Sequence, residues 1–188
     1  MPQTFDDETY RSIWTKDIWS TGNLKDASSS LVNIDEDMIN LVKVRDYKDE
    51  YILSILQRDA RIENPGFKLH DRSKQEAVIA WTRVEGSKIP SGYYLVTKEH
   101  YVGGSYPHWY PRTLNQLYVI KRMRRKGIGM RLLSDFISSD RSGKIWVESP
   151  KWETKNMLEK VGYSETQEPY EIWQMREGLT LWVLKARS

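Results

Sequence analysis

Apolar and polar positions alternate along residues 38–47, MINLVKVRDY, which predicts a strand. In the next stretch, KDEYILSILQRDARI (48–62), the period lengthens. It sets Tyr51, Ile52, Ile55 and Leu56 on one side of a helix, which NPGF (64–67) then breaks. EAVIAWTRVEG (76–86) and GYYLVTKE (92–99) read as two strands of a hairpin, with SKIP as the turn. HYVGGSYPHWYPR (100–112) is a loop punctuated by Gly and Pro, and TLNQLYVI (113–120) is a strand. Beyond it, Ile128, Leu132, Leu133, Phe136 and Ile137 fall on one helical face. KIWVES (144–149) predicts a strand, and KWETKNMLEKV (151–161) a short helix stopped by Gly162. YEIWQM (170–175) and LTLWVLKA (179–186) suggest a closing antiparallel pair.

The order β-α-β-β-β-α-β-α-β-β implies an α/β (α+β) domain over residues 38–188, with a single central mixed β-sheet flanked by helices. Residues 1–37 are polar apart from a few positions such as Trp14 and Trp19, and are expected to form an N-terminal extension. They contain no charged-then-apolar leader pattern, and no apolar run approaches the roughly 18 residues of a membrane span. A cytoplasmic protein without membrane contact is therefore expected. The absence of Cys excludes disulfides, thiolate metal sites and a Cys nucleophile. His70 and His100 have no ligand spacing, so no metal is expected.

Charge changes the picture at one place. The net charge of +3 is mild, yet five cations crowd into Lys121–Lys126, in VIKRMRRKGIGM. Cations at a helix N-terminus oppose the positive end of its dipole, unless an anion sits there. Gly127 and Gly129 let the backbone approach such an anion closely. Strand, basic turn, glycines and helix together suit a pyrophosphate cradle. The stretch lacks the Gly-Lys-Ser/Thr of a P-loop and the glycine spacing of a dinucleotide fold.

LYVIKRMRRKGIGMRLL (117–133) resembles the acetyl-CoA motif of the GCN5-related N-acetyltransferases (GNAT), Arg/Gln-x-x-Gly-x-Gly/Ala after a strand, with Arg124, Gly127 and Gly129 in register. NMLEKVGYSE (156–165) is similar to that family's second signature. The resemblance spans about residues 38–186 and implies the GNAT fold with acetyl-CoA as acyl donor. It also implies that strands 113–120 and 144–149 splay apart around the pantetheine arm. Backbone groups of Leu117 and Val119, with Tyr118 between them, would line that arm. The N–H groups of Arg125, Lys126, Gly127, Ile128, Gly129 and Met130 would hold the pyrophosphate, with Arg124 completing the motif. Lys121 and Arg122 would meet the 3′-phosphate or face solvent.

The implied reaction is attack by an amine on the thioester. An alkylamine must first lose a proton, since its pKa lies near 10.4, and a general base assists that step. The family's usual acid, a Tyr on the helix before the Gly-Phe/Tyr pair, is Leu158 here, and the strand TLNQLYV lacks the usual Glu. Glu148 and His108 are the candidate bases, and Tyr163 the candidate acid. The aromatic loop with Arg112 is a candidate acceptor surface. The acceptor is expected to be an amine on a small molecule, a protein or an aminoacyl-tRNA. Two alternatives stand beside this: a base-modifying enzyme of the phage Mom type, with nucleic acid as partner, and a non-enzymatic CoA-binding module.

Overall fold

The computed structural model describes residues 38–84, 87–102, 108–140, 142–166 and 178–185. Strand β1 (Ile39–Lys43) leads into helix α1 (Tyr47–Glu63). Asp46 caps α1 by accepting from the N–H groups of Lys48 at 2.9 Å and Asp49 at 3.0 Å. The helix buries Ile52, Leu53, Leu56, Gln57 and Ala60, while Tyr51 is exposed. The apolar stripe therefore lies beside the expected face, because the i, i+3, i+4, i+7, i+8, i+11 spacing that starts at Asp49 runs through Ile52, Leu53, Leu56, Gln57 and Ala60.

Strands β2 (Gln75–Val84) and β3 (Ser87–Thr97) form the expected hairpin. SKIP, however, is the start of β3 and not the turn: Ser87–Pro90 pair with Trp81–Val84. Pro90 is tolerated inside the sheet because the register slips beside it, leaving Ser91 unmatched between Ala80 and Trp81. The loop after β3 carries a small separate hairpin, β4 (His100–Val102) with β5 (His108–Tyr110).

Then follow β6 (Thr113–Val119), α2 (Ile128–Ser138), β7 (Lys144–Glu148), α3 (Trp152–Lys160), β8 (Tyr163–Glu165) and β9 (Leu179–Leu184). The sheet order is β1-β2-β3-β6-β7-β9-β8, antiparallel throughout except for the parallel pair β6–β7. Strand β9 thus lies between β7 and β8; its expected partner at 170–175 and the extension 1–37 lie outside the described residues.

Alternation places the helices. Tyr93 pairs with Tyr118, whose hydroxyl donates to Asp59 of α1 at 2.6 Å. The next residue, Tyr94, points the other way and donates to Asp135 of α2 at 2.7 Å. Helices α1 and α2 therefore cover opposite faces. Ile128, Leu132, Leu133 and Phe136 are buried under α2, each worth about 1.5–3 kcal/mol of hydrophobic stabilisation.

The C-terminal turn of α1 is tied to the basic turn. Arg124 Nη2 donates to both carboxylate oxygens of Glu63 at 2.8 Å, and Tyr118 donates to Glu63 at 3.0 Å. Partial burial would raise the Glu63 carboxyl, but the hydrogen bonds from Arg124 and Tyr118 outweigh it and hold the group below its ordinary value. A depressed carboxyl stabilises the fold above its unfolded-state pKa, and that contribution is lost as pH falls through the folded value. Urea midpoints taken from neutral into the acid range should therefore fall less steeply for Glu63→Gln than for the wild type. Parallel curves would show that the ion pair adds nothing to folding.

At Gly92 strand β3 leaves no room for a side chain against β6. A Cβ there would lie 2.5 Å from the Tyr118 carbonyl oxygen and 3.3 Å from Leu132 Cδ1. Gly92→Ala should cost about 1–3 kcal/mol in urea unfolding, the usual penalty for overpacking. An unchanged midpoint would show that the two strands can separate without loss.

Candidate active site

The parallel pair β6–β7 is matched at only two positions, Thr113 with Trp146 and Leu114 with Val147. Beyond them β6 has no β7 partner, so the strands splay as expected. The cause lies in the next residue: the β3–β6 register passes from Leu114 directly to Gln116, leaving Asn115 as a bulge. A bulge bends its strand and increases its twist, which steers β6 away from β7.

The splay exposes backbone groups selectively. The Ile120 N–H donates to the Ser91 carbonyl at 3.0 Å, so β6 residues of that parity face β3. By alternation the N–H groups of Leu117 and Val119 face the gap. Tyr118 does not join them. Its backbone faces β3 and its hydroxyl is held by Asp59 and Glu63. Burial, with those two carboxylates, raises the Tyr118 phenol above its ordinary pKa.

At the open end of the gap, α2 starts at Ile128 with no side-chain cap. Its first helical bond runs from the Arg131 N–H to the Gly127 carbonyl, at 2.9 Å. Among the described residues, no acceptor meets the N–H groups of Arg125, Lys126, Gly127, Ile128, Gly129 or Met130. Arg125 (φ 62°) and Gly127 (φ 79°) both adopt the left-handed conformation. Such alternation folds successive N–H groups into an anion-binding concavity. A left-handed Arg costs about 1–3 kcal/mol and marks a constrained turn. Space above Gly127 is open, since a Cβ there would meet nothing within 4 Å. A Cβ on Gly129 would meet Met157 Sδ at 3.4 Å and Val119 Cγ2 at 3.7 Å, ordinary contacts that leave room for Ala.

The Arg124 side chain does not reach toward the cradle. Its Nε donates to the Val119 carbonyl at 3.0 Å, its Nη2 serves Glu63, and its guanidinium lies 5.6 Å from the Tyr118 ring centroid. Arg124 thereby fixes the turn that carries the N–H groups. Arg122 is half-buried, and burial lowers its pKa while the Asp59 charge works against that shift. Lys121 is exposed. On the other arm of the gap, Lys151 Nζ donates to Asn64 Oδ1. Consecutive residues at the end of α1, Glu63 and Asn64, thus bridge both arms.

Glu148 closes β7 beside the splay, half-buried. Asn115 Nδ2 donates to Glu148 Oε2 at 2.6 Å. Both side chains lie on the α1 face, because Asn115 also bonds Thr97, which shares the face of Tyr93. Val119 and Gly129 lie on the α2 face. The cradle and the carboxylate therefore address the gap from opposite sides of the sheet.

The other acid–base candidates are placed differently. His108 has its backbone paired with Val102 in the small hairpin, and its side chain lies outside the described residues. Tyr163 is packed in the core on β8, two strands from β7, and burial raises its phenol pKa. Leu158 is fully buried. Asn115 and Glu63 went unnoticed in the sequence. Asn115-Gln116 does break the alternation of TLNQLYV, which is a bulge signal; Glu63 carries no local signal at all.

No family model matches the sequence, and neither does any curated protein. Solved structures do resemble it. Tetrahymena GCN5 aligns over 77% of this chain and 94% of its own, with a TM-score of 0.54 and 14% identity. A histone acetyltransferase HPA2-related acetyltransferase from Corynebacterium glutamicum aligns over 80% of this chain and 98% of its own, with a TM-score of 0.53 and 14% identity. At that identity the likeness concerns architecture. The chain has the fold of the GCN5-related N-acetyltransferases.

Proposed function

We propose that the protein is an acetyl-CoA-dependent N-acyltransferase acting on an amine acceptor. The observation that carries this reading is the run of six N–H groups, Arg125 to Met130, without acceptors at the mouth of a splayed strand pair. A solvated basic turn has no need of two left-handed residues or of a gap beside it. When bound, acetyl-CoA supplies an activated acyl group, whose transfer forms a C–N bond and breaks the C–S bond.

The chain's own residues divide the work. The cradle N–H groups neutralise the pyrophosphate, aided by the N-terminal end of the α2 dipole. The gap-facing groups of Leu117 and Val119 hold the pantetheine amides in line. From the α1 face, Glu148 takes the proton of the incoming amine, directly or through water. Neither Leu158 nor the buried Tyr163 is placed to protonate the leaving sulfur.

Calorimetry with acetyl-CoA tests the cradle. Wild type should bind in the micromolar range. Gly127→Glu should weaken binding by about 100-fold or more, equivalent to roughly 2.7 kcal/mol. Gly129→Ala should bind as the wild type does. Absence of binding by folded wild type would overturn the reading.

Turnover with a panel of amines, read as CoA thiol release, tests the base. Glu148→Gln should lower kcat about 10²–10⁴-fold, the usual range for a lost general base, and leave acetyl-CoA affinity unchanged. Wild-type turnover by Glu148→Gln would remove Glu148 from the mechanism.

A further inference from the structure

Helix α1 carries a second apolar ridge, opposite the one it buries. Tyr47, Tyr51, Ile55, Arg58 and Ile62 recur at i, i+4, i+8, i+11 and i+15, so they fall in one narrow stripe. Tyr47 is 75% exposed and Ile62 78%. A surface helix ordinarily turns polar residues outward. Four acids of α1 are engaged away from this ridge: Asp49 by the Arg45 N–H, Glu50 by the His70 ring, Asp59 by the Tyr118 hydroxyl and Glu63 by Arg124. Arg58 and Arg61 are exposed and have no ion-pair partner among the described residues. The outer side of α1 is therefore apolar and cationic.

The sequence holds a segment of matching character. Residues 1–37 contain eight acidic and three basic residues, a net −5, against 18 acidic and 26 basic in residues 38–188, a net +8. Tyr10, Ile13, Trp14, Asp17 and Ile18 recur at i, i+3, i+4, i+7 and i+8, the spacing of one helical face. Each ridge thus has four apolar residues and one charge, Arg58 on the first and Asp17 on the second. The 19 residues from Trp19 to Asp37 can span about 60 Å, against about 25 Å for the 17-residue α1, so reach is no obstacle. Tethering of this kind supplies an effective concentration on the order of millimolar, which lets a weak contact hold. A second copy of α1 fits less well, because it would set Arg58 and Arg61 against their own duplicates. The basic turn 121–126 would also attract acids, but none of the exposed large apolar residues among the described ones lies in it.

We propose that residues 10–18 dock along the outer ridge of α1, with Asp17 facing Arg58, as an acidic arm of the same chain. The arm braces the helix whose last turn holds Arg124, and its acids offset the cations beside the ridge. The docking stands apart from the acyltransferase reading.

The chain has no Cys, so a single label on the full chain tests this. Ser54 is exposed and lies beside the ridge, three residues after Tyr51. A bimane dye on Ser54→Cys reports contact with Trp14, because indole quenches that dye only at contact range. The label should be quenched, and Trp14→Phe should abolish the quenching while keeping the arm apolar. Ile62→Glu should abolish it too. Arg58→Asp should lose it, and adding Asp17→Arg should restore it, since the pair is then reversed. The signal should not change with protein concentration. A label indifferent to Trp14→Phe overturns the proposal, as does failure of the charge reversal to restore quenching. Quenching that grows with concentration would assign the ridge to a second copy. Quenching of a dye on Lys121→Cys, in place of the one on Ser54→Cys, would lay the arm over the basic turn. Either result also overturns the proposal.

Discussion

Everything at the candidate site depends on where one strand pair stops. Strands β6 and β7 run parallel and share only two matched positions before they separate. Ladder hydrogen bonds forgone in a sheet interior are costly unless the free groups find other partners. The cost here is confined to one edge of β6, since the other remains laddered to β3. The bulge at Asn115 makes that separation possible without breaking β3–β6. What remains is a slot with N–H groups along one wall.

The electrostatics of the turn follow from that slot. Five cations at the N-terminal approach to α2 are unfavourable for a helix alone. The last turn of α1 relieves part of this by presenting Glu63 and Asp59 to Arg124, Tyr118 and the surroundings of Arg122. These acids meet side chains and leave the backbone N–H groups of the cradle unengaged. Side-chain charge and backbone donors are thus separated. The first holds α1 over the splay, and the second stays open for an anion.

Much of this was legible in the sequence for a physical reason. Long periodic elements declare themselves, as Ile128, Leu132, Leu133 and Phe136 did for α2, and the positive-φ requirement at Gly127 left a glycine to be seen. The misreadings share a different origin. SKIP looked like a turn because Pro90 is rare inside sheets, and only the neighbouring bulge at Ser91 makes it acceptable. Tyr118 stands between two residues expected to line the pantetheine arm, and strand parity turns its hydroxyl to Asp59 of α1. Glu63 and Asn115 act on residues 61 and 33 positions away, and no local pattern encodes such distances.

On the proposed acyltransferase reading, the site treats its two proton transfers unequally, and chemistry accounts for this. An alkylamine near pKa 10.4 is almost wholly protonated at neutral pH, whereas a thiol near 8.5 leaves tolerably as the anion. In an amine acyltransferase the base is therefore the group that cannot be spared. The structure has that asymmetry. A half-buried carboxylate is fixed at the gap by Asn115, while the usual acid position holds a fully buried Leu158 and the nearest phenol in sequence, Tyr163, is sealed in the core. On that reading, a leucine at the acid position adds to the core, and the chemistry loses little by the exchange.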